Sequence, residues 1–156
     1  MSPAGSATPH GRLLAGEAGA LAGVSGTTIG QWARRGHIRS SQSAAEPRVY
    51  SVEDVAEAAI VAELLARGVT HADVHSAAER LRDYGPWPLG QAELATTPEQ
   101  GRARIALHES GEWLVLGPRG WQAIADGHVL SAVRLRLPRA AGTPDPSPPR
   151  SSPGRP

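Results

Sequence analysis

The chain has 156 residues, room for one ordinary domain or a small domain with an appendage, and only 40% of it is apolar, so its core is small. It has no cysteine, which excludes a disulfide framework, a thiolate metal site and a cysteine nucleophile, and its formal net charge of +1 by itself selects no class of partner. No apolar run approaches the roughly eighteen residues of a membrane span, and the stretch MSPAGSATPHGRLL lacks the apolar centre of a signal peptide, so a soluble cytoplasmic protein with no membrane partner is expected.

Residues 1–12 are small, polar and broken by proline, and are expected to be disordered. A short Ala-rich helix near Gly16–Ala22 follows; it has a weak start signal and needs tertiary support. Ser25, Ser51 and Thr70 then each read as a helix N-cap, preceded by an apolar residue that can staple to one five positions on: Val24 to Ile29, Tyr50 to Val55, Val69 to Val74. Asp54 and Asp73 add a carboxylate at the positive end of the second and third of these helices. The spacing predicts a helix from Val52 to about Arg67 that buries Val52, Val55, Ala59, Ile60 and Leu64, and another over His71–Asp83 that buries Val74, Ala77, Ala78 and Leu81.

The breaker cluster YGPWPLG at 84–90 closes this helical half. Beyond it RARIAL (102–107), EWLVL (112–116) and VLSAVRLRL (129–137) alternate like strands, with ESG as a turn between the first two. They predict a three- or four-stranded antiparallel sheet with Trp87, Trp113 and Trp121 around its core. Val133, Leu135 and Leu137 share one face of the last strand. Residues 138–156 hold seven of the fourteen prolines and are expected to be a disordered Pro/Ser/Arg-rich tail. The expected class is therefore α+β: a helical domain over 13–85, a small antiparallel β-segment over 86–137 for packing or oligomerisation, and disordered ends.

A short helix, the turn Gly23-Val24-Ser25 and a helix starting at Gly26 have the layout of a helix-turn-helix, whose second helix enters the major groove of DNA. Ile29, Trp32 and Ala33 fall on one stripe and pack inward, which gives Trp32 a core role; Thr27, Thr28, Gln31, Arg34 and Arg35 occupy the rest of the surface. Gln pairs with adenine, Thr reaches a hydrogen-bonding edge or a thymine methyl, and Arg suits guanine or phosphate. Gly36–Ser51 then reads as a short two-stranded wing tipped near Ser43–Glu46, flanked by Arg39 and Arg48. Five arginines against two acids between Arg12 and Tyr50 place the basic charge in this region.

In these stretches the chain resembles the MerR-type winged helix-turn-helix, especially its short BldC-like members. GVSGTTIGQWARRGHI matches the turn, recognition helix and tryptophan, PRVYS matches the wing-closing Arg-x-Tyr, and EDV with ARGVTHADV matches the helices that follow, over residues 13–83. The resemblance implies sequence-specific binding of double-stranded DNA, with groove contacts at Thr27, Thr28, Gln31 and Arg34 and wing or phosphate contacts at Arg48 and Tyr50. It also implies a homodimer or a head-to-tail assembly on DNA. Two departures, Val49 in place of a second basic residue and Glu46-Pro47 in place of a glycine-rich tip, imply fewer wing contacts. The chain has neither the dimerisation heptads nor the thiols of the metal-sensing members.

The other readings are weaker. His71 and His75 share one helix face but show no third ligand, so no metal site is assigned. GVSG lacks the final glycine and the preceding strand of a nucleophile elbow. The pairs Glu53/Asp54 and Glu109/Glu112 read as capping and turn surface, so no catalytic residue, no cofactor and no enzyme activity is expected. The alternative function is that of an antitoxin, because a winged helix followed by a small β-segment is also similar to some antitoxins; the β-segment or tail would then hold a toxin protein.

Overall fold

A computed structural model of the protein describes residues 12–38, 48–124 and 128–134. Nearly all of both ends, the predicted wing from 39 to 47 and the Leu135–Leu137 end of the last predicted strand lie outside these residues.

The helical half begins with α1 (Ala15–Ala22), which starts on a carboxylate: Glu17 Oε1 accepts from the Leu14 N–H at 2.9 Å. Helices α2 (Gly26–Arg35), α3 (Val52–Ala66) and α4 (His71–Arg80) begin at the three anticipated caps. Ser25 Oγ accepts from the Thr28 N–H at 3.0 Å, Ser51 Oγ from the Asp54 N–H at 3.1 Å and Thr70 Oγ1 from the Asp73 N–H at 3.1 Å. Asp54 also accepts from the Ser51 N–H at 2.9 Å, closing a capping box. Each such cap contributes about 1 kcal/mol.

The buried face of α3 differs from the expected one. Val52 is 73% exposed, and the inward stripe runs through Asp54, Glu57, Ala58, Ile60, Val61 and Leu64. The helix VEDVAEAAIVAELLA is apolar nearly all round, so its periodicity does not select a face; what packs against it does.

The breaker cluster supplies that packing. It forms a 3₁₀ turn at Arg82–Tyr84 and the one-turn helix α5 (Pro88–Gln91), with Tyr84 and Leu89 buried. The two carboxylate oxygens of Glu57 accept from the N–H groups of Leu89 (3.0 Å) and Gly90 (2.8 Å), and Trp87 Nε1 donates to Asp54 Oδ1 at 2.9 Å. Trp87 therefore belongs to the joint between α3 and α5 rather than to the sheet core. Asp54, expected at the surface, is buried at that joint.

Among the described residues the sheet has five strands rather than three or four, in the order β4-β3-β2-β1-β5 with every pairing antiparallel. Strand β1 (Glu93–Glu99) was not anticipated; its sequence ELATTPE has weak alternation and a proline, yet it pairs along its whole length with β2 (Arg102–Glu109). The ESG turn is present: Ser110 and Gly111 both have positive φ, as a two-residue type I′ hairpin requires, before β3 (Glu112–Gly117). After β4 (Gly120–Ala123) the chain reaches the far edge, where, among the described residues, Ser131–Ala132, β5, pairs with β1. Arg67 holds that edge: its guanidinium donates to Thr96 Oγ1 (3.1 Å) and to the carbonyls of Ser131 (2.7 Å) and Ala132 (3.0 Å), and pairs with Glu63.

Leu94, Ile105, Leu107, Leu116 and Val133 from the sheet join Ile60, Leu64, Val74 and Leu81 from the helices in one apolar cluster. Trp121 packs on it part-buried, while Trp113 lies against the ring of His108, centroids 5.0 Å apart. No helix among the described residues is long and apolar enough to cross a membrane.

Candidate nucleic-acid interface

The helix-turn-helix is built on a glycine contact. A Cβ at Gly19 in α1 would stand 2.6 Å from the Val24 carbonyl oxygen and 2.8 Å from the Ser25 carbonyl carbon, and one at Gly26 would stand 3.0 Å from the backbone of Gly16. The two helices thus meet backbone to backbone, a distance that no other residue permits. Gly23 makes the turn between them in a left-handed conformation (φ +85°), its N–H donating to the Gly19 carbonyl at 2.8 Å.

On α2 the division between faces follows the spacing. Ile29 and Trp32 are buried, Trp32 to 4% exposure, and Ala33 packs beside them. Thr27, Gln31, Arg34 and Arg35 are exposed. Thr28 is half-buried and its hydroxyl is part of the cap, accepting from Ser25 Oγ at 2.9 Å, so it is less available to a duplex than Thr27. Basic Arg34 and Arg35 occupy the last turn, where they oppose the negative end of the helix dipole.

Of the candidate wing residues, Arg39 lies outside the described residues. Arg48 is half-buried and Tyr50 is 1% exposed. The Tyr50 ring is part of the core, and its backbone exchanges hydrogen bonds with Leu13 (N–H to the Leu13 carbonyl, 2.8 Å; carbonyl to the Leu13 N–H, 3.0 Å). Tyr50 ties the residues just before α3 to those just before α1 through this isolated bridge. Arg34, Arg48, Gly26 and Gly30 line a groove of about 630 Å³ that opens between the start of α1 and α2.

His37, just past α2, is only 4% exposed and stacks on His71 of α4 (centroids 5.5 Å), with His37 Nε2 3.4 Å from His71 Nδ1 and the His75 ring 6.0 Å away. Its partners are 34 and 38 positions along the chain, and no local periodicity joins them. Among the described residues no three histidines or carboxylates are placed to hold a metal ion together.

Burial, then His71, His75 and Arg35, push the His37 imidazole down to a pKa of about 4. A histidine with a lowered folded-state pKa is neutral in the fold and protonated in the unfolded chain between about pH 4 and 6.5, so its contribution to stability is lost as pH falls through that window. Relative to a His37→Phe variant measured alongside it, the parent should lose of order 1–3 kcal/mol in urea denaturation between pH 7 and 4.5. An equal pH response in the two proteins would show that His37 does not take up a proton on unfolding.

Residues 15–81 match the family model described as the MerR HTH family regulatory protein. No curated protein and no solved structure matched the chain. The matched segment starts at the first residue of α1 and ends just past α4, so it takes in the capped α2, the glycine-packed turn and the anchor at Tyr50. Residues 15–81 are therefore similar to the MerR HTH regulatory family, consistent with a helix-turn-helix DNA-binding domain of that type.

Proposed function

We propose that the protein is a cytoplasmic, sequence-specific transcription regulator that places α2 in the major groove of double-stranded DNA and the segment 38–50 as a wing on the backbone or minor groove. The observation that carries this reading is the asymmetry of α2: Ile29 and Trp32 lock one face to the core, while Thr27, Gln31, Arg34 and Arg35 stand exposed on the other. A helix held rigidly by its apolar side keeps its polar side chains in register with base edges, which is what specific readout requires. Residues 13–85 form the DNA-binding unit in this reading, and the 86–134 segment buttresses α3 and α4 through Glu57, Asp54 and Arg67. A single such unit makes few contacts, so specific binding employs two or more copies on repeated or palindromic half-sites.

The test is selection of preferred duplexes from a random pool, followed by affinity measurements on the winner and its single-base variants. Gln31→Ala should relax preference at one base pair by about 1–3 kcal/mol, whereas Arg35→Ala should weaken all sequences alike. Failure to enrich any sequence over random DNA would overturn the proposal.

A further inference from the structure

Alternation along the strands gives the sheet two sides. Leu94, Ile105, Leu107, Leu116 and Val133 turn to the helices and belong to the shared apolar cluster; Ala95, Ala106, Trp113, Val115 and Ala132 turn the opposite way and do not. The register aligns this outer side in rows across the strands. Ala132, Ala95, Ala106 and Val115 form a low apolar row, and Glu93, His108 and Trp113 form the row beside it. In the second row His108 Nδ1 lies 3.1 Å from Glu93 Oε1, and the Trp113 indole leans on the His108 ring. The result is a shallow trough with an aromatic wall.

The floor of the trough is out of solvent. An antiparallel sheet with one solvated face alternates buried and exposed residues, whereas β1 is buried without a break from Leu94 to Thr97 and β2 from Ile105 to Leu107. Ala95 and Ala106 are 1% and 0% exposed although neither belongs to the core cluster that the helices complete. The course of the chain points to what lies over them. Strand β5 runs antiparallel to β1, and beyond it the Val133 N–H donates to the Leu94 carbonyl at 2.9 Å, so the chain leaves the sheet edge beside Glu93, at the end of the aromatic row. From that edge to Trp113 on β3 is three strand spacings, about 14 Å, which about five residues of polyproline II span. Residues 138–156 contain seven prolines, four of them in PDPSPP at 144–149. A proline-rich segment docks in an aromatic-lined groove at low entropic cost, because its backbone is already extended.

We propose that the outer side of the sheet is a binding surface for an extended proline-rich peptide, and that its occupant is this chain's own segment 144–149, laid over Ala95 and Ala106 against Trp113. The surface is independent of the DNA-binding reading.

The chain has no cysteine, so Ser147→Cys gives a single site for a nitroxide label on the full-length protein. In the isotope-labelled protein the label should remove most of the intensity of the Trp113 indole N–H signal and leave that of Trp32, buried on the helical side, unchanged. Replacing Pro144, Pro146, Pro148 and Pro149 by glycine should restore the Trp113 signal and, without the label, lower the melting temperature. The same four replacements made in a Trp113→Ala background should not lower it further. Equal signal loss at Trp113 and Trp32, or a glycine-substituted protein that melts and broadens as the parent does, would overturn the proposal. So would a loss at Trp113 seen only when spin-labelled protein is mixed with isotope-labelled protein, which would assign the trough to the tail of a second copy. The labelling result stands on its own where Trp113→Ala fails to fold.

Discussion

Gly19→Ala should destabilise the protein by up to about 2 kcal/mol net and weaken DNA binding at temperatures where the parent is folded. The methyl group would meet three backbone atoms of Val24 and Ser25 at 2.6 to 2.9 Å, and neither a carbonyl group nor the cap that follows it swings aside as a flexible side chain would. Separating α1 from α2 is the remaining response, and it tilts α2. Overpacking of this kind costs about 1–3 kcal/mol and at times more, against a gain of about 1 kcal/mol from alanine's helix propensity. Gly16→Ala in the same helix is the matched control: nothing lies within 4 Å of its Cβ, so it should leave stability unchanged or raise it by up to about 1 kcal/mol. Thermal melts of the two variants decide the matter. Equal melting temperatures would mean that the crossing of the two helices is not set by the glycine contact.

The second large effect concerns pH and Glu57. This side chain is 1% exposed on α3, and burial pushes its carboxyl group up to a pKa of about 8; the amides of Leu89 and Gly90 pull it back, and the neighbouring Asp54 pushes it up. A carboxyl group with a raised folded-state pKa binds its proton in the fold and not in the unfolded chain between about pH 4.5 and 8. Stability from this group is therefore complete below pH 4.5 and is lost as pH rises towards 8, by several kcal/mol at about 1.4 kcal/mol per pH unit.

Glu57→Gln removes the titration but sets an amide NH₂ against one of the two N–H donors, which costs about 1–3 kcal/mol at all pH values. The variant should accordingly be less stable than the parent at pH 5, and the gap should close or reverse by pH 9. Denaturation midpoints for both proteins at pH 5, 7 and 9 test this. A constant difference across the range would show that Glu57 does not exchange its proton on unfolding. The joint between α3 and α5 is where the loss should be felt first, because both oxygens of Glu57 hold the backbone of the Leu89-Gly90 segment.

His37 acts in the opposite direction and the two windows overlap: between about pH 4.5 and 6.5 the stability that His37 loses on acidification offsets what Glu57 regains, and above that range Glu57 alone erodes stability. Neither was visible as a special residue in the sequence. Glu57 reads as one more polar position on a helix, and its ligands are the amides of residues 32 and 33 positions away. His37 reads as a turn residue, and its neighbours come from a helix that starts 34 positions later. Strand β1 was missed for a related reason. ELATTPE carries little alternation of its own, and it is a strand because RARIALHE folds back on it through a two-residue turn and covers its backbone groups.

By itself the sequence determined what is decided within a few residues. Ser25, Ser51 and Thr70 start helices because a hydroxyl oxygen reaches an amide three positions on; Gly23 turns the chain; Ile29 and Trp32 share a face because a helix repeats every 3.6 residues. The same local pattern separated Thr27, Gln31, Arg34 and Arg35 from the core. Only the tertiary structure decided which face of the all-round apolar α3 turns inward, that Tyr50 is core, that Trp87 and Asp54 meet across the joint, and that Arg67 holds the sheet's far edge. These outcomes depend on pairs brought together from 29 to 65 positions apart. For such pairs the free energy comes from desolvation and close packing of surfaces that do not yet face each other in the extended chain.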